Sequence, residues 1–106
     1  MNSMKDREEG FERKFAFDEE LKFKAVARRN KLLGLWAADK LGKSGAEAEA
    51  YAREVVVADV EEGGQEDVFK KIRADFDAAG VNQSDHQIRR TMDELLAKAI
   101  EQVRNT

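Results

Sequence analysis

DEELKFKAVARRNKLLGLWAADKLG, residues 18–42, decides the fold. Val26, Leu33, Trp36, Ala37 and Leu41 fall on one face of a 3.6-residue period, with Phe23 and Leu32 near its edge. Asp18, Glu19 and Glu20 supply the negative charge favoured in a first helical turn, and Gly42 is a natural stop. The pattern predicts a helix over about 18–41, roughly 36 Å long at 1.5 Å per residue. Gly34 inside it costs about 1 kcal/mol relative to alanine. It either permits a close approach by a second helix or is incidental. Trp36 reads as a core anchor whose indole N–H needs an acceptor. Arg28, Arg29, Asn30 and Lys31 form the densest basic patch and read either as a solvated face pairing with Glu or Asp of neighbouring helices or as cations presented to an acidic partner.

Three further helices follow toward the C-terminus. KSGAEAEAYAREVVVADVEEGG, residues 43–64, carries Ser44 and Glu47 in capping-box spacing. Ala48, Tyr51, Ala52, Val55, Val56 and Val60 make its inner face. Val55, Val56 and Val57 favour a strand by themselves, but the alanine-rich, capped context outweighs them. After Gly63 and Gly64, the spacing of Val68, Phe69, Ile72, Phe76 and Ala79 predicts a helix over 65–79, ended by Gly80. Ser84 with Gln87 forms another capping box. Ile88, Met92, Leu95, Leu96, Ala99, Ile100 and Val103 then mark a helix over 84–104. Connections of two to five residues force antiparallel neighbours. The expected fold is all-α: a small four-helix bundle, residues 18–106, with a long first helix whose end overhangs its partners.

Composition agrees. The 106 residues are 42% hydrophobic and 39% charged, with no proline and no cysteine. Absent cysteine excludes disulfides, thiolate metal sites and cysteine nucleophiles. No apolar run of about 18 residues spans a membrane, and no signal-peptide core opens the chain, so a cytoplasmic location is expected. Net charge is −3, split between a basic front and an acidic remainder. Residues 1–43 hold 11 Lys and Arg against 8 Asp and Glu, and residues 44–106 hold 8 against 14. Overall acidity without a dense basic run argues against nucleic acid as a partner.

Residues 1–17 belong to none of the four stripes. They are highly charged, broken by Gly10, and hold Phe11, Phe15 and Phe17, half of the six phenylalanines. In a helix, Met4, Phe11 and Phe15 share one side. Such a segment has too little apolar area to fold alone but can fold into a groove that covers that side. Alternatively, Phe15 and Phe17 cap the open end of the bundle. Phe17 is also placed to staple against Leu21.

Motifs suggestive of catalysis do not survive inspection. AADKLGKS, residues 37–44, loosely matches a phosphate-binding loop, but it ends a helix, follows no strand and has Ala37 in place of the first glycine. Lys43 and Ser44 beside a helix N-terminus leave only weak ATP or ADP binding as an expectation. The run from Asp59 has a calcium-loop glycine at Gly64 but Lys70 where the bidentate Glu belongs. His86 is the single histidine, so neither a zinc site nor a nucleophile–base pair can be assembled. The chain reads as a binding protein rather than an enzyme, with no resident cofactor.

DREEGFERKFAFDEELKFKAVARRNKLLGLWAADKLGKSG, then AYAREVV, then GQEDVFKKI, closely resembles the small zeta-type inhibitor subunit of alphaproteobacterial F-type ATP synthases. The likeness runs to about residue 77, and FKAVARRNKLLGLWAA is its most specific part. The resemblance implies a four-helix protein whose mobile N-terminal segment, here residues 1–17, enters a catalytic alpha/beta interface, meets the central stalk and blocks ATP hydrolysis. By this resemblance Met4, Arg7, Phe11, Arg13, Lys14, Phe15 and Phe17 face the partner. The protein would then associate peripherally with the inner membrane through the ATP synthase.

Overall fold

A computed structural model describes residues 19–62 and 65–105. They form four α-helices and no strand: α1 (Glu19–Lys40), α2 (Ala46–Glu62), α3 (Gln65–Ala79) and α4 (Asp85–Arg104). Each corresponds to a stretch of apolar residues at helical spacing. Val55, Val56 and Val57 lie within α2, Val55 fully buried and Val57 facing solvent.

α1 packs along α2 and α4, and α3 closes the arrangement against α2 and α4. Residue pairing fixes the directions. Gly34 of α1 meets Ala52 of α2, while Arg29, five residues earlier, feels Asp59, seven residues later. The two helices are therefore antiparallel. Tyr51 reaches Asp75 and Lys71 reaches Glu54, so α2 and α3 are antiparallel as well. Arg89 with Glu66 and Arg73 with Asp85 make the same case for α3 and α4.

Leu33, Val55, Val68, Ile72, Phe76, Ile88 and Met92 are wholly excluded from water and form the core. Each fully buried side chain of this size contributes about 1.5–3 kcal/mol. Gly34 lets the backbones of α1 and α2 come together: a Cβ built there falls 2.5 Å from Ala52 Cα. Of the two readings of this glycine, close approach is the one realised. Gly42 and Gly80, with φ of 77° and 70°, end α1 and α3 in the left-handed conformation that glycine adopts without strain. In both, the N–H of the residue after the glycine reaches back to a carbonyl in the last turn of the helix, Lys43 to Ala38 and Val81 to Phe76, each at 2.8 Å.

The α4 cap forms as the sequence requires. The Gln87 N–H donates to Ser84 Oγ at 3.1 Å, and the Ser84 N–H donates to Gln87 Oε1 at 3.0 Å. The cap expected at Ser44 does not form. α2 starts at Ala46, so Gly45 takes the cap position, and the Glu47 N–H meets the Ser44 backbone carbonyl instead of its hydroxyl. A shift of one residue puts Glu47 one place too early for the reciprocal bond.

Three expectations on α1 need correction. Arg29 and Asn30 are 2% and 0% exposed, inside the bundle, because α1 turns them toward α2 and α4. Phe23 stands seven residues before Asn30, on the inner row of the helix, yet is 70% exposed. Trp36 is half-buried at the margin of the core, tilted 59° against Phe76 at 5.7 Å, with Lys40 Nζ over its outer face at 6.0 Å.

Candidate functional site

The leading segment precedes α1 in the chain. Glu19, Glu20, Lys22, Phe23 and Lys24 are exposed, and Ala25 is the first buried residue of the helix. About a turn and a half of α1 thus stands uncovered where residues 1–17 join it. Met4, Arg7, Phe11, Arg13, Lys14, Phe15 and Phe17 lie outside the described residues, as does Asp18.

Lys43 and Ser44 fall in the α1–α2 turn. Lys43 is half-buried and Ser44 exposed. The amides of Gly42 and Lys43, which a phosphate loop would aim at its ligand, donate to the carbonyls of Asp39 and Ala38 at 3.1 and 2.8 Å. What the turn offers an anion is the Lys43 ammonium and the first amides of α2.

Other charged side chains tie helices together. At the α2–α3 contact the Tyr51 hydroxyl donates to Asp75 Oδ2 at 2.7 Å. Lys71 bridges Asp75 and Glu54 at 3.1 and 3.2 Å, with its ammonium 5.1 Å from the Tyr51 ring centre. Burial pushes the Tyr51 phenol far above its ordinary value, and the bond to Asp75 adds to this. Burial opposes the Lys71 charge, but its bonds to Asp75 and Glu54 outweigh that and leave its pKa raised. At the α3–α4 turn, Arg73 donates to Asp77 at 2.7 Å, Asp85 at 3.0 Å and the Gln83 carbonyl at 2.6 Å. The bonds to Asp77 and Asp85 raise its pKa. Arg89 grips both oxygens of Glu66, at 2.8 and 3.2 Å, with its guanidinium 3.9 Å above the Phe69 ring. That bond holds the Glu66 carboxyl below the usual range.

The ties of Tyr51 to Asp75, Lys71 to Glu54, Arg73 to Asp85 and Arg89 to Glu66 depend on how the helices align, which the sequence does not announce, while Lys71–Asp75 and Arg73–Asp77 span one turn within α3. Among the described residues, no group of three His, Cys, Asp or Glu side chains is arranged to hold a metal ion. His86 is exposed. No described helix is long and apolar enough to cross a membrane. Tyr51, Lys71, Arg73 and Arg89 thus fasten the helices to one another.

A structure solved by solution NMR is similar to this one, with 49% sequence identity and a TM-score of 0.70, over 80% of this chain and 96% of that one. Comparison with curated protein sequences gives no match. The family model described as ATPase inhibitor subunit zeta matches residues 1–102, nearly the full length. The chain belongs to the ATPase inhibitor subunit zeta family.

Proposed function

We propose that the protein inhibits ATP hydrolysis by the F-type ATP synthase, with residues 1–17 as the inhibitory segment and residues 18–106 as the bundle that carries it. The observation that supports this reading is the family match, which takes in the leading segment together with the bundle. The segment inserts at a catalytic alpha/beta interface beside the central stalk and stops rotation by occupying space, with no bond chemistry of its own. Met4, Phe11 and Phe15 form its apolar side. Arg7, Arg13 and Lys14 pair with acidic groups of the cleft, and Phe17 sits at the junction with α1. The protein acts in the cytoplasm and reaches the inner membrane only through its partner.

Energetics suit such a wedge. A segment that orders on binding gives up about 2–5 kcal/mol or more, and burying each phenylalanine returns about 1.5–3 kcal/mol. Two or three buried rings therefore return an energy of the same size as the ordering cost. Replacing Phe11 and Phe15 by alanine, singly and together, tests the reading in an ATP hydrolysis assay. Each change is expected to weaken inhibition by about one to two decades. Undiminished inhibition by the double variant contradicts it.

A further inference from the structure

The two halves of α1 are anchored differently. From Leu33 onward the helix gives Leu33, Ala37 and Ala38 to the apolar core, with Trp36 and Leu41 packed against it. Gly34 adds the close contact with the α2 backbone at Ala52. Residues 19–32 give that core nothing. Their buried members are Ala25, Arg29 and Asn30. Leu21, Val26, Ala27 and Leu32 are half-buried, and Phe23, the largest apolar side chain of the stretch, faces solvent.

The polar pair does not make good the difference. The Arg29 Nε–H donates to Asn30 Oδ1 at 2.7 Å, a bond between neighbours on one helix that ties α1 to itself. Arg29 Nη1 and Asn30 Nδ2 are buried and meet no acceptor among the described residues. Burial pulls the Arg29 pKa down, against the opposing influence of Asp59 and Asp93, so its charge gains by return to water. Undocking residues 19–32 hydrates both donors, which offsets part of the apolar burial given up. Leu33 and Ala37 have no such offset. The described side-chain hydrogen bond from this stretch to another helix, Arg28 to Gln102, is exposed, where water competes for both partners.

We propose that residues 19–32 leave α2 and α4 together, as one cooperative unit, while α1 from Leu33 onward stays docked, and that Arg29 and Asn30 set how readily this happens. A freed helix this short is marginal in water, so its turns unwind on release. Release adds these residues to the reach of the leading segment. That consequence rests on the inhibitory reading above; the opening itself does not.

Hydrogen–deuterium exchange of the full chain without any partner, read residue by residue by NMR, tests this. Amides of residues 23–32 are expected to exchange through one shared opening, at least about tenfold faster than those of residues 37–40, with a step between the two groups. The double variant Arg29→Met, Asn30→Leu removes both orphaned donors and is expected to shrink that ratio by about tenfold. Lys31→Met, at an exposed neighbour, is expected to leave it unchanged. If the double variant does not fold, the wild-type profile decides on the opening, and Asn30→Leu alone reads the part played by the pair. Uniform protection across residues 23–40, a smooth decline toward residue 19 as simple end-fraying gives, or an unchanged ratio in the folded variant each overturns the proposal.

Discussion

Replacing Gly34 by alanine sets helix propensity against packing, and the structure says which wins. Propensity alone favours the change by about 1 kcal/mol. The new Cβ, however, falls 2.5 Å from Ala52 Cα, 3.1 Å from Ala52 Cβ and 3.3 Å from Val55 Cγ2. Carbon atoms sit best at about 3.5–4.0 Å. The helices must therefore part by about 1 Å, since a backbone atom cannot rotate away. Overpacking in a tight interior costs about 1–3 kcal/mol, and a backbone obstacle places this case at or beyond the upper end. The net expectation is a loss of about 2 kcal/mol, seen as a melting temperature lower by about 8–16 °C for a domain of this size. Thermal and urea unfolding followed by circular dichroism measure it. Ala52→Gly supplies a sharper control. It removes the 3.1 Å contact but leaves the 2.5 Å one, so it should not rescue Gly34→Ala. A neutral or stabilised Gly34→Ala protein, or full rescue by Ala52→Gly, refutes the claim that the backbones touch here.

Tyr51→Phe removes the bond to Asp75, a charged acceptor, and should cost about 1–2 kcal/mol in urea unfolding. Because the folded-state phenol pKa is raised above its ordinary 10.0, the neutral hydroxyl contributes fully below that pH and its contribution is lost as pH rises beyond it. The variant should therefore show a shallower loss of stability on the alkaline side. Some slope should persist from Lys71, whose raised pKa acts in the same direction. Ser84→Ala should cost about 1 kcal/mol by breaking a formed capping box, while Ser44→Ala, which breaks none, should leave unfolding unchanged. Equal costs at the two serines would count against the assigned helix starts.

The order and type of the helices were legible because apolar spacing, capping serines and stopping glycines all agreed. Where the reading failed, one signal had been trusted over another. Their chemistry reads Arg29 and Asn30 as surface, although Arg29 stands four residues before Leu33 and Asn30 seven before Ala37, positions that periodicity turns inward. Phe23 shares that inner row, but its burial depends on where α2 and α4 end, which spacing within α1 does not reveal. The failed box at Ser44 shows how a one-residue change in helix start undoes a motif that is correct letter by letter. Bridges such as Tyr51 to Asp75 and Arg89 to Glu66 depend on how two helices slide past each other, so no local pattern announces them. The aromatics of residues 1–17 fit none of the four stripes, and the proposal that this segment faces a partner starts from that misfit.

The account rests on a division of labour between a self-sufficient bundle and a segment that acts elsewhere. Its most direct test compares the full chain with a protein lacking residues 1–17, measuring inhibition of ATP hydrolysis by the ATP synthase alongside helical content and thermal unfolding. The account predicts a bundle that stays folded with inhibition abolished. Retained inhibition by the shortened protein, or collapse of the bundle without those residues, contradicts it.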